Sequence, residues 1–197
     1  MKAGKNVKNE CYINPGNVSC CSLGGIGYGI YGFAANTGVP QSFVGWLNKK
    51  GHPYGRMLSK FASGTREFSC CWQYIGEHDP EEFKALQHEY VRNTYYVPAV
   101  ENLCQEFNLD IRSRDAKLQE LVWAVAVEYG PTAVGDLMRE VLRISGLTHL
   151  NELNDHDLRR SIEHIFATSD WAEASDTMAA GVTVPWACES RIDLESA

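Results

Sequence analysis

The sequence predicts a mostly α-helical protein with one small β element. From Pro53 onward, apolar residues recur at spacings of three and four, as in helices with one buried face. The run Gly24-Gly25-Ile26-Gly27-Tyr28-Gly29-Ile30-Tyr31-Gly32-Phe33 instead alternates glycine with large apolar residues and reads as a β-hairpin whose backbone lies close to a neighbour. With 197 residues, 44% of them hydrophobic, the chain can bury a sizeable core. No internal repeat or low-complexity linker interrupts it, so it reads as a single domain over 1–197. Residues 1–50 hold Glu10, a loop and the hairpin, and residues 51–197 form a helical lobe.

Val39 to Lys49, with Phe43, Val44, Trp46 and Leu47, is expected to be a short helix ending at Gly51. Pro53 opens a second, with Tyr54, Met57, Leu58 and Phe61 on one face, closed by Gly64. A third runs from Glu67 to Ile75 and stops at Gly76. Asp79-Pro80-Glu81-Glu82 has the cap, the proline and the acids of a helix start. That helix continues through Phe83, Leu86, Tyr90 and Thr94 to about Tyr96, and Pro98 kinks it or separates it from Ala99 to Phe107. Lys117 to Tyr129 is the most apolar segment and the expected central helix, ended by Gly130-Pro131. Val134, Leu137, Met138, Val141 and Leu142 mark the next, closed by Gly146. Asn154 or Asp155 caps another, with Leu158, Ile162, Ile165 and Phe166 inward, and a final short helix is expected around Trp186 to Leu194.

The formal net charge of -7 lies mostly in the second half and argues against a nucleic-acid partner, which needs clustered Lys and Arg. The first fifty residues are mildly basic, with Lys2, Lys5, Lys8, Lys49 and Lys50 against Glu10 alone. That end would attract an anionic polymer, or it is simply a solvated fringe. No apolar run is long enough to span a membrane, and the N-terminus lacks the apolar stretch of a secretory signal, so export would need another carrier. Seven cysteines cannot all pair within one chain. Their vicinal spacing does not suit a zinc ribbon, and neither metal nor cofactor is expected. Buried thiols are the plain reading; a bridge between the Cys20/Cys21 and Cys70/Cys71 regions is expected only in an oxidising compartment.

Glu10 stands alone: no other acid occurs before Glu67. Glycosidic cleavage requires a carboxylic acid to protonate the leaving oxygen, and usually a second carboxylate. Burial beside Tyr12, Tyr28 and Tyr31 would raise the pKa of Glu10 enough for that task. Considered alone, it is equally a solvated carboxylate at a helix end. Pairing Cys11 with His52 or His88 as a thiol protease lacks any supporting signature.

The order of glutamate, loop, Gly/Tyr hairpin and helices resembles the lysozyme-like superfamily. Pro15-Gly16-Asn17-Val18-Ser19, Leu23 to Tyr31, Asn36-Thr37-Gly38-Val39 and Phe43-Val44 look like the N-terminal block of chitosanase-like and phage-tail or type VI secretion-associated lysins. Asp79-Pro80, Phe83, Gln87-His88, Tyr95-Tyr96, Pro98-Ala99-Val100, Val122-Trp123 and Tyr129-Gly130 look like their later blocks. The resemblance implies an α+β lysozyme-like fold with the hairpin beside a catalytic cleft, and favours Glu10 as the acid. Two departures stand out. Ser22 occupies the position where those relatives usually carry a water-activating Asp, and Gly32 stands where a Gln is frequent.

Three sources for the second catalytic group stay open, in this order. Ser22 with a backbone carbonyl orients the water; a distant acid such as Glu67 or Glu89 folds into the cleft; or the protein only binds. Tyr28 and Tyr31, three apart, should point to opposite faces of a strand, so one is expected to line the cleft and stack on sugar, unless both pack on a helix. Gln87 and His88 sit mid-helix, where one of the pair turns inward to bond substrate.

The resemblance thus implies a muramidase-like hydrolase of the β-1,4 glycan strands of peptidoglycan. It would act in the periplasm or at the wall after delivery by a phage particle or a secretion system, as a lysin or antibacterial effector. An immunity protein plugging the cleft is the partner such an effector implies. The alternatives are a chitosanase, disfavoured because a cationic chain needs more carboxylates than Glu10, and a non-catalytic wall-binding or assembly module on the same fold.

Overall fold

The computed structural model describes residues 14–21 and 25–168. They belong to two compact units that meet in sequence at Tyr90 and Val91. The architecture is mostly helical with one small antiparallel sheet, as the sequence predicts.

In the first unit, β1 (Val18–Cys21), β2 (Gly25–Tyr28) and β3 (Phe33–Ala34) pair in the order β1-β2-β3. The glycine-rich run is the expected hairpin: β2 and β3 pair through Gly27↔Ala34 and Tyr28↔Phe33. Val18–Cys21, read from the sequence as loop, adds a third strand in register Val18↔Tyr28 to Cys21↔Gly25. Helices α1 (Val39–Lys49), α2 (Pro53–Leu58), α3 (Arg66–His78) and α4 (Pro80–Val91) follow. The sheet packs on them through rings. Tyr28, Phe33, Phe43, Phe68, Trp72 and Phe83 are fully buried, with Trp72 and Phe83 centroids 4.8 Å apart. Each such side chain contributes roughly 1.5–3 kcal/mol by leaving water.

Two helix ends differ from the sequence reading. Helix α2 stops at Leu58, leaving Phe61 off its buried face and 39% exposed. Helix α3 runs through Gly76 to His78. Gly76 does not end it: a Cβ there would lie 2.2 Å from Gly16 Cα, so this glycine lets a loop lie against the helix.

The second unit begins with a π-helical turn, Arg92–Tyr96, followed by α5 (Val97–Phe107) with Pro98 in its first turn. Proline has no N–H and its ring displaces the carbonyl one turn back, and the wider turn absorbs both effects. Helices α6 (Ala116–Tyr129), α7 (Pro131–Ser145) and α8 (Asp155–Thr168) complete it around Val100, Leu103, Leu118, Val122, Leu137, Met138, Leu158 and Ile162. Asp115 caps α6 by accepting from Leu118 N–H at 2.7 Å, and Asn154 accepts from Asp157 N–H at 2.9 Å at the start of α8. The helix expected at Trp186 to Leu194 lies outside the described residues. Among these residues no helix is long and apolar enough to cross a membrane.

Candidate functional site

Glu10, Ser22 and Cys11 lie outside the described residues, which begin four positions after Glu10. What the structure shows is how the chain is fastened as it leaves that acid. Asn14 organises the turn: its Oδ1 accepts from Gly16 N–H at 2.8 Å and its carbonyl accepts from Asn17 N–H at 3.0 Å. The Pro15 carbonyl accepts twice, from Trp72 Nε1–H of α3 at 2.8 Å and from Gln87 Nε2–H of α4 at 2.9 Å. The Asn17 carbonyl accepts from Gly29 N–H at 2.8 Å, and Gln87 Oε1 accepts from Ile30 N–H at 3.0 Å. The loop after Glu10, the β2–β3 turn and two helices therefore share one set of buried polar contacts.

Gly29 is part of that set. Its φ of 74° suits glycine, and a Cβ there would lie 2.1 Å from Gln87 Oε1. The close backbone approach expected of the glycine-rich run is made at Gly29 by the protein's own carboxamide.

Both hairpin tyrosines are buried, Tyr28 at 0% and Tyr31 at 2% exposure. The strand alternation that would separate them fails because Tyr31 sits in the Gly29–Gly32 turn and not in β2. Tyr28 joins a hydrogen-bond chain: its hydroxyl accepts from Gly64 N–H at 3.0 Å and donates to Ser69 Oγ at 3.0 Å, and Ser69 donates to the Thr65 carbonyl at 2.9 Å. Burial holds the Tyr31 phenol well above its ordinary range, so it stays protonated. Its hydroxyl oxygen lies 2.6 Å from His88 Nδ1, a hydrogen bond that ties the imidazole to the turn. Gln87 is fully buried and bonded to backbone at both ends, whereas His88 is exposed. Of the four expected binding residues, His88 thus presents most to solvent, and the other three hold the wall behind it.

Of the acids considered as a second group, Glu67 is exposed in the first turn of α3, where the helix dipole favours it. Both oxygens of Glu89 lie 2.6 Å from Lys50 Nζ, which also sits 4.6 Å over the Trp46 ring. Two residues past Gln87, Glu89 lies about 200° round the helix from it. Cys20, Cys70, Cys71 and Cys104 are free, so no bridge joins Cys20 to Cys70 or Cys71, and pairings through Cys21 fall outside the described side chains. Burial raises the Cys71 thiol pKa, with Lys60 acting in the opposite sense. Among the described residues no group of three or more His, Cys, Asp or Glu could hold a metal ion.

The sequence reading missed Trp72, Gly16 and Gly76, all of which act on the loop after Glu10. Trp72 looks like any core aromatic in an amphipathic helix, and only its indole N–H, which needs an acceptor when buried, hints at more.

Residues 9–175 match the family described as "Type VI secretion system spike protein VgrG3-like, C-terminal". Over 107 residues the chain is 29% identical to the type VI secretion system spike protein VgrG3 of Vibrio cholerae. The matched stretch covers 54% of this chain and 10% of that protein, so the chain spans only about a tenth of the relative's length.

Proposed function

The chain belongs to the type VI secretion system spike protein VgrG3-like C-terminal family, and from that premise we propose that it is a glycoside hydrolase of peptidoglycan, delivered by the secretion machinery as an antibacterial effector. The observation that carries the reading is the fastening of the loop after Glu10 to the β2–β3 turn through Pro15, Gln87 and Ile30. A general acid must be held in place against the glycosidic oxygen, and the protein fixes the chain where it leaves its lone N-terminal acid.

In this reading Glu10 is kept protonated by an apolar setting and donates to the leaving oxygen of a β-1,4 linkage. Ser22 and a backbone carbonyl orient the attacking water, in place of a second carboxylate. His88, exposed on α4 with its Nδ1 beside the Tyr31 hydroxyl, is the side chain assigned to meet a sugar hydroxyl. An immunity protein that fills the groove is the partner such an activity calls for. Ser22 at the usual Asp position favours one second reading, a wall-binding module without turnover.

Glu10→Gln keeps size and shape but removes the transferable proton. The expected result is loss of about 10²–10⁴ in turnover with unchanged melting. Clearing of purified peptidoglycan suspensions, with mass analysis of the released fragments, measures this and separates muramidase from glucosaminidase cleavage. Hydrolysis by Glu10→Gln at the wild-type rate would end the acid assignment. Binding of peptidoglycan without cleavage by the wild-type protein would favour the second reading.

A further inference from the structure

We propose that Gln87 is a positioning residue: its buried carboxamide sets the spacing between the segment leading from Glu10 and the β2–β3 turn, without touching substrate. The proposal rests on the reading of Glu10 as the acid. Gln87 is 0% exposed, and among the described residues it is the one polar side chain in the buried set, so no glycan reaches it. A buried amide is costly unless both ends are satisfied, and here both are. Oε1 takes the Ile30 N–H at 3.0 Å and Nε2 gives to the Pro15 carbonyl at 2.9 Å. Rotating the amide by half a turn would set oxygen against the Pro15 carbonyl and NH₂ against the Ile30 N–H, so the two partners specify glutamine in one orientation.

The surroundings are fitted to that group. Gly29 lacks the Cβ that would overlap Oε1, and Trp72 Nε1–H shares the Pro15 carbonyl from the neighbouring helix. Pro15 follows Glu10 by five Cα-to-Cα steps, a reach of at most roughly 17 Å. Where Gln87 holds Pro15 therefore bounds where the carboxyl can go. Misplacement of a reacting group by about 1 Å can cost on the order of 10² in rate, so a buried clamp at this distance acts on turnover.

The test uses the full chain with Gln87→Met, which keeps length and removes both hydrogen bonds, and Gln87→Glu. Wild type and Glu10→Gln are measured in parallel on soluble peptidoglycan glycan fragments, at a temperature well below each melting point. Gln87→Met should lower kcat about 10- to 100-fold with KM within about twofold of wild type. Gln87→Glu has a built-in rescue. A protonated carboxyl accepts from Ile30 and donates to Pro15 as the amide does, whereas a carboxylate faces the Pro15 carbonyl unfavourably. Burial raises this carboxyl's pKa in the folded state, so the clamp is present in acid and lost as pH rises. The ratio of variant to wild-type kcat should therefore fall at least about tenfold between acid and mildly basic pH. Tyr31 and His88, the titratable neighbours on the turn and on α4, are present in both proteins and cancel in the ratio.

A raised KM at unchanged kcat would overturn the proposal in favour of substrate contact. Lower melting alone, with both constants intact, would overturn it in favour of a purely structural role. Hydrogen exchange of the Ile30 amide reads the clamp without any activity: it should quicken in Gln87→Met, and unchanged protection there overturns the clamp. A wild type inactive on glycan, or a fully active Glu10→Gln protein, would sink the acid assignment and with it the catalytic role of Gln87, while faster exchange at Ile30 would still report the clamp.

Discussion

The unit that ends at Tyr90 is cored by rings, Tyr28, Phe33, Phe43, Phe68, Trp72 and Phe83, whereas the unit that begins at Val91 is cored by aliphatic side chains such as Leu103, Leu118, Val134, Leu137 and Leu158. Rings carry polar handles. Trp72 Nε1–H and the Tyr28 hydroxyl each fix a stretch of loop backbone from inside the core, and the buried Gln87 does the same. In the second unit the polar fastenings are partly exposed ion pairs and helix caps, such as Arg114 with Asp155. Aliphatic burial has no preferred direction, whereas a hydrogen bond from a rigid ring holds only at a set distance and angle. The first unit is therefore built to hold loops in register, and the second to supply stable bulk.

The largest effect should come from cutting the core where these roles coincide. Trp72→Ala is expected to cost about 3–5 kcal/mol in denaturant unfolding, and it also leaves the Pro15 carbonyl with Gln87 alone. Leu137→Ala in α7 should cost a comparable ~2–5 kcal/mol, yet the folded fraction should cleave glycan at the wild-type kcat. Equal loss of kcat in the two variants, measured where both are folded, would break the comparison.

The sequence made the second unit legible nearly to the residue, because its helices obey a single period and carry local caps: Lys117 to Tyr129 is found as Ala116–Tyr129, and the Asn154 cap is in place. The first unit was legible as elements and not as contacts. Its hairpin is where the glycines and rings place it, but β1 lacks a strong strand pattern, and Gly76 looks like a stop signal because its reason is a partner sixty residues away in the chain. Tyr31 is misread as a strand residue since a four-residue turn begins at Gly29. Of Gln87 and His88, one is expected to turn inward to bond substrate; Gln87 is the one that turns inward, and there it meets backbone atoms of Pro15 and Ile30, which side-chain patterns do not encode.

A pair of glycines sharpens the contrast at intermediate size. In a helix interior, Gly→Ala is favoured by about 1 kcal/mol of propensity, so steric context decides the sign. At Gly76 the new Cβ would lie 2.2 Å from Gly16 Cα and 2.3 Å from Gly16 N, backbone atoms that cannot swing aside. Gly76→Ala should therefore destabilise by about 1–3 kcal/mol and reduce glycan cleavage by displacing the loop after Glu10. At Gly135 in α7 the closest atom is Asn102 Oδ1 at 2.8 Å, the end of a side chain that can rotate. Gly135→Ala should be neutral or raise the melting temperature. Thermal melts of the two proteins check both signs, and a stabilised Gly76→Ala protein with full activity would show that the Gly16 contact does not hold the loop.

The smallest effect is electrostatic and belongs to the second unit. Asp155 takes a hydrogen bond from Arg114 Nη1 at 2.7 Å and another from Asp115 N–H at 2.7 Å, and together they hold its carboxyl below the usual range, the arginine contributing most. A carboxyl with a lowered folded-state pKa adds stability that is fully present above its unfolded value and is lost as pH falls through the folded one. The loss should thus set in below about pH 5, where an ordinary aspartate begins to protonate, and grow as pH falls further. The pair is partly solvated, with side chains 17% and 26% exposed, so the contribution is modest and weaker in high salt. Asp155→Asn removes the titrating proton. Its melting temperature should start slightly below wild type at neutral pH and converge on it as the solution is acidified, because wild type loses what the variant never had. Melting curves that stay parallel across that range would mean that Arg114 and Asp115 gain nothing from the charge, and that the second unit rests on its aliphatic core alone.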